Sequence, residues 1–385
     1  MNTQKRQISS CQETLGIVVH VANSVMENRE IYQFRYQIFI DEMSKSAKNA
    51  DHTKHVITDT MDEYSLQLYA TVENEIAGAL RFTIAEPSRF PRQLASVFHM
   101  QQFASAFSDN MLTEVSLCTK LAVKDTFRSS PILYYLMVKA YEIARERNVQ
   151  INFGGCNPYL LSLYEQMGYR QFTKNFIDPG YGLLVPLVML VEDIEHFHLV
   201  KSPFFRLCRK FPNNPQIAQT VLRDFPLSAL KTNTQSQTRD EVWSNICQYF
   251  PTSPLESILL FTGMTQEECT FLLHCASIFH CHTGDLIIDR NEMSNELYIL
   301  LAGELLQETT SEVKLIQPGN HFSGNGLPEP LPLNFTVTAL TVSTLLVISR
   351  SGFSRFSAKY PNSSAMLLYR LHNNLEQNSL LEREG

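Results

Sequence analysis

Asn157-Pro158-Tyr159-Leu160-Leu161-Ser162-Leu163-Tyr164-Glu165-Gln166-Met167-Gly168-Tyr169 is the stretch on which the fold of the first half turns. Asn157 offers a helix N-cap, Pro158 fits a first helical position that needs no N–H partner, and Gly168 supplies a left-handed stop. Upstream, Ser130 at an N-cap and Pro131 at the first helical position repeat the start signal, so a second helix follows them. Val115, Leu117, Thr119, Leu121 and Val123 alternate on one face, which predicts a half-buried strand. Val72 to Ala85 carries two short apolar runs around Asn74 and Gly78, as a hairpin would. Strand, helix, strand, helix over residues 14–200 predicts an α/β fold, a mixed sheet with flanking helices.

The second half reads differently. Pro203, Pro212, Pro215 and Pro226 punctuate residues 201–240, and Lys231 to Asp240 is polar. Residues 241–385 begin helical, then give short strands with turns at Gly284, Gly303 and Gly319, and end on a helix from Ser363 to about Gln377. A C-terminal β-roll with flanking helices is predicted. The units are therefore residues 1–210, a linker and connecting helix at 211–245, and residues 246–385.

The 385 residues are 44% hydrophobic and 18% charged, which excludes a disordered or low-complexity chain. Thirty-two basic against 39 acidic residues give −7, a poor balance for wrapping nucleic acid, and no nucleic-acid partner is expected. The eight cysteines form no CxxC pair, so neither a disulfide framework nor a zinc ribbon is indicated. His274, Cys275, His280, Cys281 and His282 cluster at spacings that match no common zinc pattern, and no metal is expected. The N-terminus leads into no apolar signal core, and the longest apolar run, Tyr181 to Val191, is too short for a bilayer, which needs about 20 residues. A cytoplasmic location is expected.

The Asn157–Tyr169 stretch resembles the closing motif of the GNAT superfamily of N-acyltransferases, in which Asn-Pro opens a helix and Tyr-x-x-x-Gly-Phe/Tyr ends it. That resemblance implies a helix against a splayed strand, with a groove for an extended pantetheine arm. Asn157 would steady the arm and Tyr164 would protonate the departing thiolate. The superfamily's Arg/Gln-x-x-Gly-x-Gly/Ala pyrophosphate loop corresponds to Arg128-Ser129-Ser130-Pro131-Ile132-Leu133. Pro131 and Leu133 replace both glycines, so one N–H donor is lost and close backbone approach is barred. Such a loop suits the single phosphate of a carrier-protein phosphopantetheine better than the diphosphate of coenzyme A.

Tyr32-Gln33-Phe34-Arg35-Tyr36-Gln37-Ile38-Phe39-Ile40-Asp41-Glu42-Met43 looks like the opening of acyl-homoserine lactone synthases and N-acyl amino acid synthases, relatives that use acyl-carrier-protein thioesters. Asp59 and Asp62 resemble their acidic pair, and Gly78-Ala79-Leu80-Arg81 their Gly-x-x-Arg strand. By that resemblance Arg35, Asp59, Asp62 and Arg81 bind the acceptor; Arg35 paired with Asp59 or Asp62 as an ordinary surface pair is the plainer reading. Glu114-Val115-Ser116 fits the synthases' Glu-x-Ser-Arg, which makes a partly buried Glu114 the general-base candidate. Leu117 stands where arginine is expected, with Lys120 the nearest substitute. N–H groups near Leu121 to Val123 would polarise the thioester carbonyl.

Leu260-Phe261-Thr262-Gly263-Met264-Thr265, Thr283-Gly284-Asp285, Glu296 to Glu304 and Leu315 to Phe322 are strongly similar to the cyclic-nucleotide-binding domain. That family's phosphate cassette reads Phe-Gly-Glu, then Pro-Arg-x-Ala; this chain reads Phe322-Ser323-Gly324-Asn325-Gly326, then Pro332-Leu333-Asn334-Phe335. Gly324 or Asn325 replaces the ribose-binding Glu and Leu333 the phosphate-binding Arg. Loss of that charge-assisted pair costs about 1.5–3 kcal/mol, so cyclic nucleotides are not expected to bind. The domain would then act as a scaffold, a surface for homo-oligomers, or a sensor for another ligand.

Together the resemblances imply an acyltransferase transferring groups other than amino-acyl groups. The donor would be an acyl-phosphopantetheine thioester on an acyl carrier protein or coenzyme A, and the acceptor an amino-acid-like small-molecule amine. The competing reading is a non-catalytic acyl- or partner-binding sensor. Lys201 to Phe211, basic residues interleaved with Phe and Leu, would dock the acidic carrier protein.

Overall fold

A computed structural model gives the fold and describes residues 16–43, 45, 47–105, 114–128, 130–178, 180–224, 239–290, 293–329 and 331–381. Its first unit is built on an eight-stranded mixed sheet. The strands are β1 (Val18–Val21), β2 (Leu66–Val72), β3 (Glu75–Ala85), β4 (Val115–Val123), β5 (Ile151–Cys156), β6 (Arg170–Gln171), β7 (Phe176–Asp178) and β8 (Gly182–Leu190). Their spatial order is β1-β2-β3-β4-β5-β8-β6, with β7 also on β8. The expected hairpin is β2–β3, turning through Glu73 and Asn74 at φ 50° and 69°, the positive values of a two-residue turn.

Every neighbouring pair is antiparallel except β4–β5. Parallel neighbours need a crossover, and a helix supplies it. The helices that shape the site are α1 (Val25–Tyr36), α2 (Ile132–Glu146) and α3 (Leu161–Met167). In α2, Ile132, Leu136, Ala140 and Ala144 recur every four residues and are all buried against the sheet. Gly78 lets the helix come close: a Cβ there would lie 2.5 Å from Ile132 Cγ2. Pro131 is the α2 N-cap residue and Ser130 sits one position earlier, its Oγ accepting the Ile132 N–H at 3.4 Å. Asn157 and Pro158 open a 3₁₀ turn, Pro158–Leu160, that runs into α3, and Gly168 ends α3 at φ 110°.

β4 differs from expectation in one respect. Val115 to Cys118 is buried on both faces, because Phe90, Phe98 and Phe103 cover the side opposite α2. Pro186 also differs, since β8 runs straight through it. On its outer edge β8 leaves β7 at Leu184 and joins β6 at Leu187, so Pro186 falls where no ladder N–H is required.

After β8 the chain stays on the first unit through α4 (Phe204–Cys208) and α5 (Pro215–Asp224), which buries Ala218 and Val221. Most of the polar stretch expected to link the units lies outside the described residues. The second unit starts with α6 (Arg239–Cys247) and α7 (Gln266–His274), the latter held by a Thr265–Glu268 capping box. Two four-stranded sheets form the roll: Ser277–Cys281, Ser343–Ser349, Glu296–Ala302 and His321–Ser323 in one, Leu286–Ile288, Thr336–Ala339, Leu305–Glu308 and Val313–Ile316 in the other. α8 (Arg350–Lys359) and α9 (Pro361–Leu381) close it.

The units touch at the segment that carries Tyr164. Ser277 Oγ donates to the Tyr159 carbonyl at 3.0 Å and pairs with Ser162 Oγ at 3.1 Å. Asn175 Nδ2 donates to the His280 carbonyl at 3.0 Å and to Asp285 Oδ2 at 2.9 Å. Among the described residues no helix is long and apolar enough to cross a membrane.

Candidate active site

β4 and β5 pair at only three positions, Ser116–Asn152, Leu117–Phe153 and Cys118–Gly154. Beyond them β4 continues along β3 to Val123, while Gly155 and Cys156 stay with Pro186 and Val185 of β8. The sheet therefore opens between two strands that diverge toward different partners. Between Thr119 and Ala122 β4 spends three steps where β3 spends two, Arg81 to Ala79. The extra residue is a bulge, and Lys120 within it has φ 54°. Lys124 N–H reaches the Ala77 carbonyl on the β3 side at 3.0 Å, so strand alternation turns the N–H groups of Leu121 and Val123 toward the opening.

A cavity of about 540 Å³ occupies this opening, within the ~300–1,000 Å³ usual for small-molecule sites. It has three chemically distinct walls. Leu94, Val97, Phe98, Phe176 and Leu184 form an apolar one. Gly155 keeps that wall open, since a Cβ on it would already touch Leu184, Phe176 and Phe98 at 3.7, 3.8 and 3.8 Å. Asp59, Arg81, Lys120, Asp178 and Tyr181 form a polar wall. Arg128, Ser130, Leu133 and Leu163 line the third, together with Ser351 of α8 in the second unit.

The polar wall is backed by a buried ion network. Arg35 Nη1 donates to Asp62 Oδ1 at 2.9 Å, with the two side chains 0% and 5% exposed. The Arg35–Asp62 pair is thus buried behind the cavity; neither residue lines it, and the surface pair of the plainer reading is not what forms. Arg35 also donates to Gln67, and Arg81 bridges Asp59 and Asp62 while its Nε donates to Thr119 Oγ1 at 2.9 Å. Burial works against the Asp62 carboxylate, but the Arg35 and Arg81 guanidiniums outweigh it and hold its pKa below the ordinary range. Lys120, 10% exposed, donates to Tyr181 Oη at 2.9 Å; burial and then Arg81 push its pKa down to about 8.

Tyr164 lines the cavity with its ring against Tyr169, centroids 5.4 Å apart. Burial raises its pKa well above the usual phenol value. Among the described residues none hydrogen-bonds its hydroxyl, which is left free for a ligand. Cys118 and Cys156 also line the cavity, but burial raises both thiols, Cys118 to about 11, and a buried thiol is a poor nucleophile.

The residues expected at the donor side converge here: Leu121, Val123, Arg128, Ser130 and Asn157 all line the cavity, and Ser129 lies outside the described residues. Asn157 Nδ2 is already used by the Tyr181 and Leu183 carbonyls at 3.0 and 3.2 Å, so its first task is to fix the start of β8. Arg128 Nη2 pairs with Glu42 Oε2 at 2.8 Å, across the cavity mouth to the π-helical turn Gln37–Glu42 that follows α1.

Glu114 is the correction. A partly buried carboxylate was expected, yet Glu114 is exposed and is not among the cavity's lining residues. It precedes β4 at the end away from the opening, and at ~3.3 Å per residue seven residues put it about 20 Å from Leu121. Motif spacing finds the strand but not the end of it that the sheet opens. Asp178, Tyr181 and Gly155 are the residues the motifs did not flag; Lys120 was named only as a substitute for the arginine expected at Leu117, and its place on the polar wall comes from the structure.

In the second unit Phe322 stacks on Tyr298, centroids 5.1 Å apart. Gly324 has φ 96°, and a Cβ on it would lie 2.8 Å from Leu297 and 3.2 Å from Leu371 of α9. Leu333 packs on the apolar core, Asn334 is exposed, and Asn325 Oδ1 is buried without a partner among the described residues. In the His/Cys cluster Cys281 turns inward and His280 Nδ1 pairs with Thr344 Oγ1 at 3.1 Å. Among the described residues no group of three or more His, Cys, Asp or Glu is placed to hold a metal ion.

Residues 30–191 match the family model of the N-acyl amino acid synthase FeeM, and residues 278–360 that of the cyclic nucleotide-binding domain. Among solved structures, FeeM, an N-acyl amino acid synthase from uncultured soil microbes, is 11% identical over 50% of this chain and 97% of its own, with a TM-score of 0.39. The N-terminal domain of a transcriptional regulator from Streptomyces coelicolor A3(2) is 21% identical over 33% of this chain and 95% of its own, at 0.30. CBD2 of PKAR, bound to Sp-2Cl-cAMPS, is 19% identical over 37% and 92%, at 0.32. No curated protein matches the chain. Two regions of one polypeptide therefore resemble two known families: residues 30–191 are similar to the N-acyl amino acid synthase FeeM, and residues 278–360 to the cyclic nucleotide-binding domain.

Proposed function

We propose that the first domain is an N-acyltransferase that moves an acyl group from a phosphopantetheine thioester to the amino group of an amino-acid-like acceptor. The observation that carries this reading is the cavity at the β4–β5 divergence, with one apolar wall, one charged wall and a free phenol between helix and sheet. In this reading the pantetheine arm enters past Arg128 and Ser130 and runs along the open β4 edge. The Leu121 and Val123 N–H groups face its amides and the thioester carbonyl, which they polarise. The acyl chain lies against Phe98, Phe176 and Leu184. The acceptor amine attacks from the polar wall, a C–N bond forms, the C–S bond breaks, and Tyr164 gives its proton to the leaving thiolate. The proton lost by the amine leaves along the polar wall, where Asp59 and Asp178 supply carboxylates.

Pro131 leaves the phosphate loop one N–H donor short and the Leu133 side chain bars close backbone approach, which favours a carrier protein over coenzyme A as donor. For that carrier, Lys201, Arg206, Arg209 and Lys210 are exposed, while Phe204, Leu207 and Cys208 turn into the core. That outward row of cations is the surface we propose for docking an acidic carrier protein.

Gly155→Leu tests the acyl-chain assignment. A leucine there fills the space between Phe98, Phe176 and Leu184, so turnover of long-chain thioesters is expected to fall at least about tenfold while short-chain ones keep their rate. Competition between thioesters of different length, read by mass spectrometry, checks it; an unchanged chain-length profile would move the acyl chain elsewhere.

For the second domain we propose a structural role without cyclic nucleotide. Leu333 offers no charge to a cyclic phosphate, and Gly324 is hemmed in by Leu297 and Leu371. Millimolar cyclic AMP or cyclic GMP is expected to leave the melting temperature unchanged, whereas micromolar binding would raise it by mass action.

A further inference from the structure

Of the cations Arg35, Arg81 and Lys120, the two arginines hydrogen-bond to carboxylates and the lysine does not. Arg35 is held by Asp62 and Gln67, and Arg81 by Asp59, Asp62 and Thr119. Lys120 Nζ instead donates to a neutral group, Tyr181 Oη at 2.9 Å, and sits 4.5 Å from the centre of that ring. The carboxylate nearest to it among the described residues, Asp59 Oδ2, is 3.9 Å away, beyond hydrogen-bond reach. Asp59 is already committed to Arg81, and Asp178 Oδ1 accepts the Gly180 and Tyr181 N–H groups at 2.9 and 3.2 Å. A largely buried ammonium that faces the cavity, with its ion-pair partner at 3.9 Å and not hydrogen-bonded to it, has a donor to offer a negatively charged group.

We infer that Lys120 is the specificity-determining residue for the acceptor: its ammonium receives a carboxylate of the acceptor, so the preferred acceptors are amines that also carry a carboxylate. This rests on the acyltransferase reading above. The bulge in β4 aims Lys120 onto the polar wall one residue before Leu121, whose N–H faces the opening. An α-amino acid held by its carboxylate at Lys120 has its amino group two bonds away, beside the strand edge where the thioester carbonyl is placed. The direction of attack and the choice of acceptor then come from one side chain.

The same geometry fixes a pH dependence. Burial, then Arg81 and Arg35, disfavour the Lys120 ammonium, and Asp59 and Asp178 favour it, with a resulting pKa of about 8. A bound carboxylate favours the ammonium further, so binding takes up a proton near and above pH 8. Affinity for the carboxylate acceptor falls as pH rises through that value.

The test uses the full chain with an acyl-carrier-protein thioester and two acceptors, phenylalanine and phenylalaninamide. The wild type is expected to prefer phenylalanine by about 10–100-fold in kcat/KM, the worth of one charge-assisted contact. Lys120→Met is expected to erase the preference. Lys120→Arg is expected to keep it and to move the alkaline fall of kcat/KM away from pH 8, since a guanidinium does not titrate there. Melting curves confirm that both variants fold. A preference that survives Lys120→Met, or an alkaline limb unmoved in Lys120→Arg, would overturn the inference. Failure of the acyltransferase reading looks different: neither acceptor yields product with the wild type. In that event calorimetry of phenylalanine in two buffers of different ionisation enthalpy decides. Binding to the wild type with proton uptake and none to Lys120→Met upholds the site; equal binding to both, or binding to neither, removes it.

Discussion

Tyr164→Phe is expected to lower kcat by about 10²–10⁴-fold, the usual worth of a positioned general acid. KM should change little, because the lost hydroxyl acts on a thiolate that exists only as the C–S bond breaks. The ring is what packs Tyr164 against Tyr169, and phenylalanine keeps the ring, so the melting temperature should hold. Burial keeps the phenol protonated across the physiological range, so it holds a proton to give but takes none up. Continuous assay of thiol release, with thermal melts of both proteins, checks the prediction. An unchanged kcat would reduce Tyr164 to a packing residue and leave thiolate protonation to water.

Asp62→Ala is expected to have the largest effect on stability. Asp62 is the carboxylate shared by Arg35 and Arg81, and its removal leaves two buried guanidiniums short of charge. Breaking a buried pair from one side costs about 3–5 kcal/mol. At ~2–4 °C per kcal/mol for a unit of this size, the melting temperature should fall by roughly 6–20 °C. The sign of the pH dependence follows from the lowered pKa of Asp62. The unfolded carboxyl binds protons more readily than the folded one, so the stabilisation is complete above the unfolded value of about 3.9 and is lost as pH falls through the lower folded value. The wild type should therefore lose stability on acidification below about pH 4, and Asp62→Ala should show a shallower acid limb. Urea unfolding of the two proteins at pH 7 and at pH 3.5 measures both effects; a loss of less than about 1 kcal/mol at pH 7 would place Asp62 among surface pairs.

Much of the fold was legible in the sequence because its signals are local. Asn157-Pro158 and Gly168 bound a helix through their own backbone chemistry, and Asn74 marks a hairpin turn through its tolerance of positive φ. Tyr164, Arg128, Asp59 and Arg81 were singled out by motif, and the fold gathers them around one cavity. What the sequence hides is what depends on a partner strand. The bulge at Lys120 exists only relative to β3, and it places on the polar wall a lysine that the sequence marks only as a substitute for the arginine expected at Leu117. Glu114 shares a strand with Lys120, yet only the point where β4 leaves β5 says which end meets ligand. Tyr181 to Val191 reads as an apolar run broken by Pro186, and its continuity as a strand depends on β6 and β7 pairing to either side of that residue. The seam between Ser277 and Tyr159 joins residues 118 apart, and no local pattern announces it.

The most direct measurement is mass spectrometry of the products formed by the full chain from an acyl-carrier-protein thioester and a mixture of amino acids. N-acyl transfer predicts an amide whose mass is that of the fatty acid plus the amino acid less one water, formed in equal amount with free carrier thiol, and faster from the carrier protein than from the matching coenzyme A ester. Carrier thiol released only as the acyl chain is hydrolysed, or thioester bound by the protein and left intact whatever amine is present, would contradict it.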